Sequence, residues 1–472
     1  MIQINTNVPS MVAGRILNKQ DSMLNQSLTR LGTGLRINTG RDDPAGLIAS
    51  ESLRAEKTAI GAALYNIGRA DNVVSSAEGG LDEINGLITE LEDLIDKSAN
   101  EAGLSPDELA ANQLQIDAVL DSIDRIANST EFQGRKLLNG ELDYTTSGVN
   151  TSNFTDVNIT SAKISNGGYR SALVEVTGSA QLGTLTYSAS ATGSGTTTLE
   201  IQGAYGTETL TFASGTAISN VAEAVNQSSE LTGVSASASG STLTFMTTEY
   251  GSSKFVSVKA LEGTFTVTGG DAGSNKDYGQ DATVRVNGVT AVTDGLHARL
   301  QTSTLSVDLE LSETFGTTIG SDTFYITGGG ADFMISPTVS LNGLASLGVQ
   351  AVSTSSLGKT SVGFLSSLGS GQTNSISSGN FATAQRIVRE ANKQVAELRG
   401  RLGAFQKDTL QATRNSLGVT QENISAAEAN IRETDFAEET SNLTRAQILV
   451  QSAMSVLRIA NTKPQSVLSL LQ

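Results

Sequence analysis

Apolar residues near the end of the chain recur at alternating spacings of three and four: Leu443, Ala446, Val450, Ala453, Leu457, Ala460, Pro464, Val467 and Leu471. This is the heptad rhythm that turns one stripe of a helix towards a partner helix. A similar stripe opens the chain, through Ile4, Val8, Val12, Ile16, Leu24, Leu28, Leu31 and Leu35, with Gln20 as its polar member. Pro464 should bend or end the last helix. A stripe that runs on to Leu471 exposes more apolar surface than a soluble monomer tolerates, which predicts burial between molecules.

The pattern predicts a first helix over 9–35, a turn-rich connector over 36–46, and a long helix over 44–100 started by Asp43 before Pro44. Gly79 and Gly80 should weaken that helix locally without breaking its periodicity. A further helix starts at Ser105, with Pro106 in its first turn and Glu108 placed for a capping box. Residues 132–140 read as a turn and short hairpin. From 146 to 378 the density of charged residues falls by about half, the period becomes two, and β structure is expected.

Two modules are visible there. One, at about 178–270, has strands at 198–203, 208–212, 234–237, 243–245 and 255–258 around a short helix at 218–225. The other, at about 278–330, has strands at 283–286, 305–309 and 324–326. The tract 340–378 is Ser/Gly-rich and reads as irregular. Helical periodicity resumes at about 380 and leads back into the closing stripe. Going out and returning through helices makes their pairing antiparallel. Ala446, Ala453 and Ala460, alternating with larger residues, permit close approach. The expected fold is therefore an α+β multidomain chain, a long antiparallel terminal coiled coil or helical bundle with inserted mainly-β domains. Its 472 residues correspond to roughly three domains.

Composition narrows the chemistry. A net charge of -17 argues against nucleic acid and anionic membranes as partners. No stretch is long and apolar enough to span a membrane. No cysteine and a single histidine, His297, which reads as a surface or loop residue, exclude thiol chemistry and imidazole-pair metal sites and leave little for a catalytic triad. Gly369-Ser370-Gly371-Gln372 lacks the lysine of a phosphate loop, and Asp271, Asn275, Asp277 and Asp281 lack the spacing of a calcium loop. No cofactor, metal or catalytic residue is expected. Residues 1–30 carry no secretory signature, which by itself suggests the cytosol.

The ends of the chain resemble bacterial flagellin. Ile4-Asn5-Thr6-Asn7, the run Arg30 to Asn38 and Asp42-Asp43-Pro44-Ala45-Gly46 are similar to the opening signature of that family. Phe132, Gly134, Lys136-Leu137-Leu138 and Gly140 are similar to its hairpin. Ile431 to Glu439, Arg445 to Leu449, Ala460-Asn461 and Pro464 to Leu471 are similar to its closing signature. Residues 217–258 resemble an insert module of flagellins and filament-cap proteins.

The resemblance implies a structural subunit exported unfolded through the flagellar type III apparatus and polymerised into the extracellular filament, which replaces the cytosolic reading. It implies an inner-tube domain D0 of 1–44 plus 419–472, a D1 bundle of 45–175 plus 335–418, and a surface-exposed region of 176–334. Val8, Ile16, Leu24, Leu28, Leu31, Leu443, Val450, Leu457, Val467 and Leu471 would be the polymerisation surface. Leu64, Leu91, Leu94, Ile123, Leu398 and Phe405 would be D1 core. Copies of itself, an export chaperone, the filament cap protein and hook–filament junction proteins would be its partners.

Many flagellins bind a vertebrate Toll-like receptor through an arginine and a glutamate; those positions are Glu90 and Gln115 here, beside a retained Leu94, so weak or no activation is expected. A hook–filament junction protein and an adhesive β region are the alternatives. Val467-Leu468-Ser469-Leu470-Leu471 favours a filament subunit, and one histidine argues against a protease insert.

Overall fold

The computed structural model describes residues 6–100, 103–164 and 168–470, with the backbone alone of 272 and 464–470. Helix α1 (Val8–Thr33) starts at Asn7, whose side chain accepts from the Ser10 N–H, and stops at Gly34 in the left-handed conformation, φ 74°. Helix α2 (Pro44–Ser98) starts where Asp43 Oδ1 accepts from the Gly46 N–H at 2.9 Å. Helix α3 (Pro106–Ser129) carries the capping box of Ser105 and Glu108 in full.

The middle contains three short helices, α4 (Ile218–Gln227), α5 (Ser229–Thr232) and α6 (Glu313–Gly316). The return runs through α7 (Phe381–Ala404), α8 (Ala412–Arg432) and α9 (Phe436–Leu470). Between α7 and α8, Phe405–Gln411 is a π-helix where the sequence predicts plain α-helix. Apolar spacing accounts for it: Leu410 comes five residues after Phe405, and a wider turn brings it to a buried position.

The chain forms two compact units, one of 1–69, 335–339 and 407–472, the other of 70–334 and 340–406. The expected breaks at 44 and 418 lie inside the first of these. The opening turns of α2 are tied to α8 by Lys57–Glu428 at 3.5 Å and Arg432–Glu51 at 2.9 Å. In the same unit α1 and α9 pair antiparallel. At their shared corner the Arg36 N–H donates to Arg432 O at 2.7 Å and the Thr434 N–H to Gly34 O at 3.0 Å.

In the second unit, α2, α3 and α7 bury a continuous core of Leu81, Ile84, Ile88, Leu91, Ile116, Ile123, Val388 and Val395. Arg399–Glu78 at 2.8 Å and Arg389–Glu92 at 3.1 Å show α7 antiparallel to α2. Gly80 lets the hairpin strands Glu131–Phe132 and Arg135–Lys136 sit close. A Cβ there would meet Thr130 Oγ1 at 2.7 Å and Leu138 Cδ1 at 2.8 Å. The tract 340–378, expected to be irregular, carries short strands at Leu344–Leu347, Gly358–Lys359 and Gly363–Phe364 and contributes Val349, Val352, Leu357, Leu365, Leu368 and Ile376 to this core.

The β region departs from the two consecutive modules expected. Strands Tyr144–Ser147, Phe154–Ala162 and Arg170–Gly178, which the sequence reading did not identify, pair with the module at about 278–330. The resulting five-stranded and four-stranded sheets share one core, in which Phe154 meets Phe315 and Phe324 edge-on. The other module lies in sequence inside this one. It has a four-stranded and a three-stranded sheet covered by Ile218, Val221, Ala222 and Val225 of α4. Residues 144–175 thus belong with the β cores rather than with the helical bundle. Their alternation carries meaning only once distant strands supply the partner edges.

Candidate functional site

The α1–α9 pair is built on an unusual seam. The α9 side is Glu439, Leu443, Ala446, Val450, Ala453, Leu457 and Ala460, the heptad read from the sequence, with Ala446, Ala453 and Ala460 buried and Leu443, Val450 and Leu457 half-buried. The facing side of α1 coincides with the predicted stripe only at Gln20, Leu24 and Leu31. It is Ala13, Leu17, Gln20, Leu24, Ser27 and Leu31, of which Ala13 and Ser27 are buried. Small residues on both helices bring the backbones close. Arg30 Nη1 donates to Glu439 Oε2 at 3.5 Å at one end, and Asn7 Nδ2 donates to Ala460 O at 2.9 Å at the other.

Large apolar side chains point away from this seam. Val8, Met11, Val12, Ile16, Met23 and Leu28 of α1 are exposed, Ile16 by 45% and Met11 by 68%. Phe436, Ile448, Leu449, Met454, Val456 and Ile459 of α9 are exposed likewise, Ile459 by 59%. The ten residues expected on one polymerisation surface therefore separate. Val8, Ile16 and Leu28 lie on an open apolar face, whereas Leu24, Leu31, Leu443, Val450 and Leu457 join the two ends of the same chain. The heptad sets a helix–helix contact, and that contact is met within one molecule. Val467 lies on the helical backbone of α9, its side chain outside the described residues, and Leu471 lies outside them altogether. The helix continues through Pro464 to Leu470, so it does not end at the proline.

The motif Asn38 to Gly46 shapes the corner between α1 and α2. Asp42 Oδ2 accepts from the backbone N–H groups of Asn38 and Thr39 and from Thr39 Oγ1. The Thr39 N–H is the main reason the carboxyl sits below its usual range.

Of the residues read as bundle core, Leu91, Leu94, Ile123 and Leu398 are buried together. Phe405 is half-buried against this core, its ring 6.0 Å from that of Phe333. Leu64 is only half-buried and lies in the other unit; Ile60, Ala63 and Ile67 take the buried positions there, because a helix face drifts relative to a fixed spacing. Glu90 and Gln115 are exposed. Leu94, read also as a receptor-contact position, is only 6% exposed and is held by the core.

A second concave feature is a polar cleft of about 640 Å³, whose lining includes Asp156, His297, Asp308, Glu310, Lys359 and Arg401. Several of its charges are paired. His297 Nε2 is 2.5 Å from Asp308 Oδ1 and Arg299 Nη2 is 2.8 Å from Asp308 Oδ2. Burial raises the Asp308 carboxyl, but these two neighbours hold it below its usual value. Burial raises Asp156, with Glu310 adding to it, and lowers Arg401. Lys359 bridges Glu310 at 3.6 Å and Glu390 at 3.4 Å. No cluster of three metal-ligating side chains occurs among the described residues. The arrangement is an ion-pair lining.

Family models match both ends of the chain: the bacterial flagellin N-terminal helical region over residues 4–143 and the C-terminal helical region over 385–471. The chain belongs to the bacterial flagellin family. A third match, the flagellin hook IN motif over 198–249, falls on the inner β module. Flagellin A of Helicobacter pylori is 28% identical over 99% of each chain, and flagellin C of Vibrio cholerae is 27% identical over 100% of this chain and 99% of its own. Flagellin E of Vibrio cholerae is 43% identical over 29% of this chain and 36% of its own.

Among solved structures, FliC from Burkholderia pseudomallei is 14% identical, covering 72% of this chain and 99% of its own, with a TM-score of 0.24. The D2–D3 domains of the cap protein FliD from Serratia marcescens are 18% identical, covering 35% and 94%, with a TM-score of 0.25. Both structural likenesses are too slight to bear on the argument. As a flagellin, the chain is a structural subunit of the extracellular flagellar filament that drives swimming. Among the described residues no helix is long and apolar enough to cross a membrane.

Proposed function

We propose that copies of this chain meet through the open apolar faces of α1 and α9, while the small-residue seam between those helices only holds each subunit's own ends together. The observation that carries this reading is the row of large side chains, Val8, Met11, Val12 and Ile16 with Ile448, Val456 and Ile459, that no part of the described chain covers. Exposed apolar area on this scale is unfavourable in a free monomer and is removed by stacking. In this reading the terminal pair is the filament's inner wall and the β sheets of 144–329 its solvent-facing layer. In this reading the subunit is a structural element rather than an enzyme. An export chaperone holds the terminal segments before assembly, and the cap and junction proteins meet them at the filament's ends.

Charge reversal at Glu90, relative to the arginine of receptor-activating flagellins, and burial of Leu94 support weak or no Toll-like receptor activation. A cell-based receptor assay measures this, and a full-strength signal contradicts it.

The test of the assembly surface is the double substitution Ile16→Asp with Ile459→Asp in the full-length chain. The variant should stay in the supernatant at concentrations where the unaltered chain pellets, with unchanged melting of the β modules. Filaments formed in normal yield contradict the reading.

A further inference from the structure

Pro464 removes one hydrogen bond from α9. Any other residue there donates its N–H to the carbonyl of Ala460, four positions back; proline has no N–H. Ala460 is buried in the seam with α1, and a buried carbonyl without a donor is costly. The missing donor comes from the other end of the chain. Asn7 Nδ2 donates to Ala460 O at 2.9 Å, while Asn7 Oδ1 accepts from the Ser10 N–H at 3.1 Å and caps α1. Ser10 Oγ donates to Asn461 Oδ1 at 2.7 Å beside it.

We propose that Asn7 is a positioning residue that pins α1 to α9 by satisfying the carbonyl which Pro464 leaves open. Near this end of the pair, apolar packing alone discriminates poorly between registers, and the other polar ties, Arg30 to Glu439 and the backbone bonds at the corner, lie at the far end. Ala446, Ala453 and Ala460 repeat every seven residues, so a slide of one heptad offers α1 a nearly identical surface. A slide also takes Asn7 away from Ala460 and towards a carbonyl whose own helical donor is present. A part-buried polar contact thereby reinforces, at this end, an alignment that apolar packing leaves nearly degenerate. It also explains why α9 continues past its proline, since the donor missing from the ladder is replaced by a side chain.

The pairing separates two functions of one side chain, and the test uses this. Asn7→Asp keeps an oxygen to cap α1 and loses the donor to Ala460. Pro464→Ala restores the helical N–H, so that Ala460 no longer needs Asn7. Amide exchange of α1 in the full-length chain, followed by mass spectrometry, reads the pin itself. Sedimentation reads its consequence for assembly, which additionally rests on the filament reading above. Asn7→Asp should speed exchange in 10–31 and raise the critical concentration for polymerisation, each about tenfold, as loss of a hydrogen bond to a buried carbonyl gives. Exchange in 81–95, inside the helical core, should not change.

With Pro464→Ala present, adding Asn7→Asp should change neither measurement by more than about twofold, because the Ala460 carbonyl is then bonded within its own helix. Exchange of α1 unaltered by Asn7→Asp overturns the proposal. So does an effect of Asn7→Asp that persists undiminished with Pro464→Ala, or one that spreads equally to 81–95. Altered exchange with normal sedimentation overturns the assembly role and leaves the pin established.

Discussion

The terminal helix pair and the inner β module distribute their apolar residues in opposite ways. The module buries its large side chains: Leu199, Ile201, Val221, Val225, Leu243 and Phe245 are fully enclosed. The α1–α9 pair buries mainly small ones, Ala13, Ser27, Ala446, Ala453 and Ala460, and leaves Met11, Ile16, Ile448 and Ile459 uncovered. One region satisfies its hydrophobic demand by itself. The other leaves its larger apolar residues open, and in the proposed assembly neighbouring molecules cover them. Hydrophobicity alone does not distinguish the two; what matters is whether large residues point at the chain's own partner element or away from it.

The largest effect that would sharpen this contrast is Phe245→Ala. This ring packs edge-on to Phe265 and is fully enclosed, and its loss should cost the module about 3–5 kcal/mol. Calorimetry should show an early-melting module in a chain that still polymerises; loss of polymerisation would break the separation of the two regions. Ala453→Leu overfills the seam and should cost about 1–3 kcal/mol in filament stability, read as a lower depolymerisation temperature. Gln451→Leu, at an exposed position two residues earlier, should leave the seam unstrained.

Smaller is Ser105→Ala, which removes the capping box of α3 and should cost about 1 kcal/mol, read as a lower melting temperature of the helical core. Smallest is the ionisation of Tyr250. Burial and the 2.6 Å hydrogen bond to Glu313 push it up to about 12. A folded-state value above the unfolded one gives stability that is complete below pH 10 and lost as pH rises towards 12. Tyrosinate absorbance should lose its highest-pH step in Tyr250→Phe.

Much of the architecture is legible in the chain itself. Local signals act over a few residues, so the caps at Ser105 and Asp43, the breaks near 34 and 100, and five strands of the inner module coincide with the observed elements, while its strands Thr184–Ser188 and Lys276–Tyr278 were not read. The α9 seam was equally legible, because its heptad is strict. On α1 the heptad of large residues suggested the contacting face, but the fully buried positions there are the small Ala13 and Ser27, and only Gln20, Leu24 and Leu31 of the stripe face α9. A pattern of large apolar residues marks a face that wants burial without saying against what. Strands 154–162 and 170–178 escaped for a related reason, since their partners lie more than a hundred residues away. The part played by Asn7 was invisible in sequence, because it joins residues 453 positions apart.

The claim that the large residues of α1 and α9 are reserved for neighbouring copies is tested most directly by thiol modification. The chain has no cysteine, so Ile16→Cys and Ile459→Cys each introduce a single reporter, and Ile319→Cys, exposed by 76% in the β region, serves as control. The account predicts that positions 16 and 459 react quickly in the free chain and become protected in the filament, while 319 reacts equally in both. Equal reactivity of 16 and 459 in free chain and filament would contradict it.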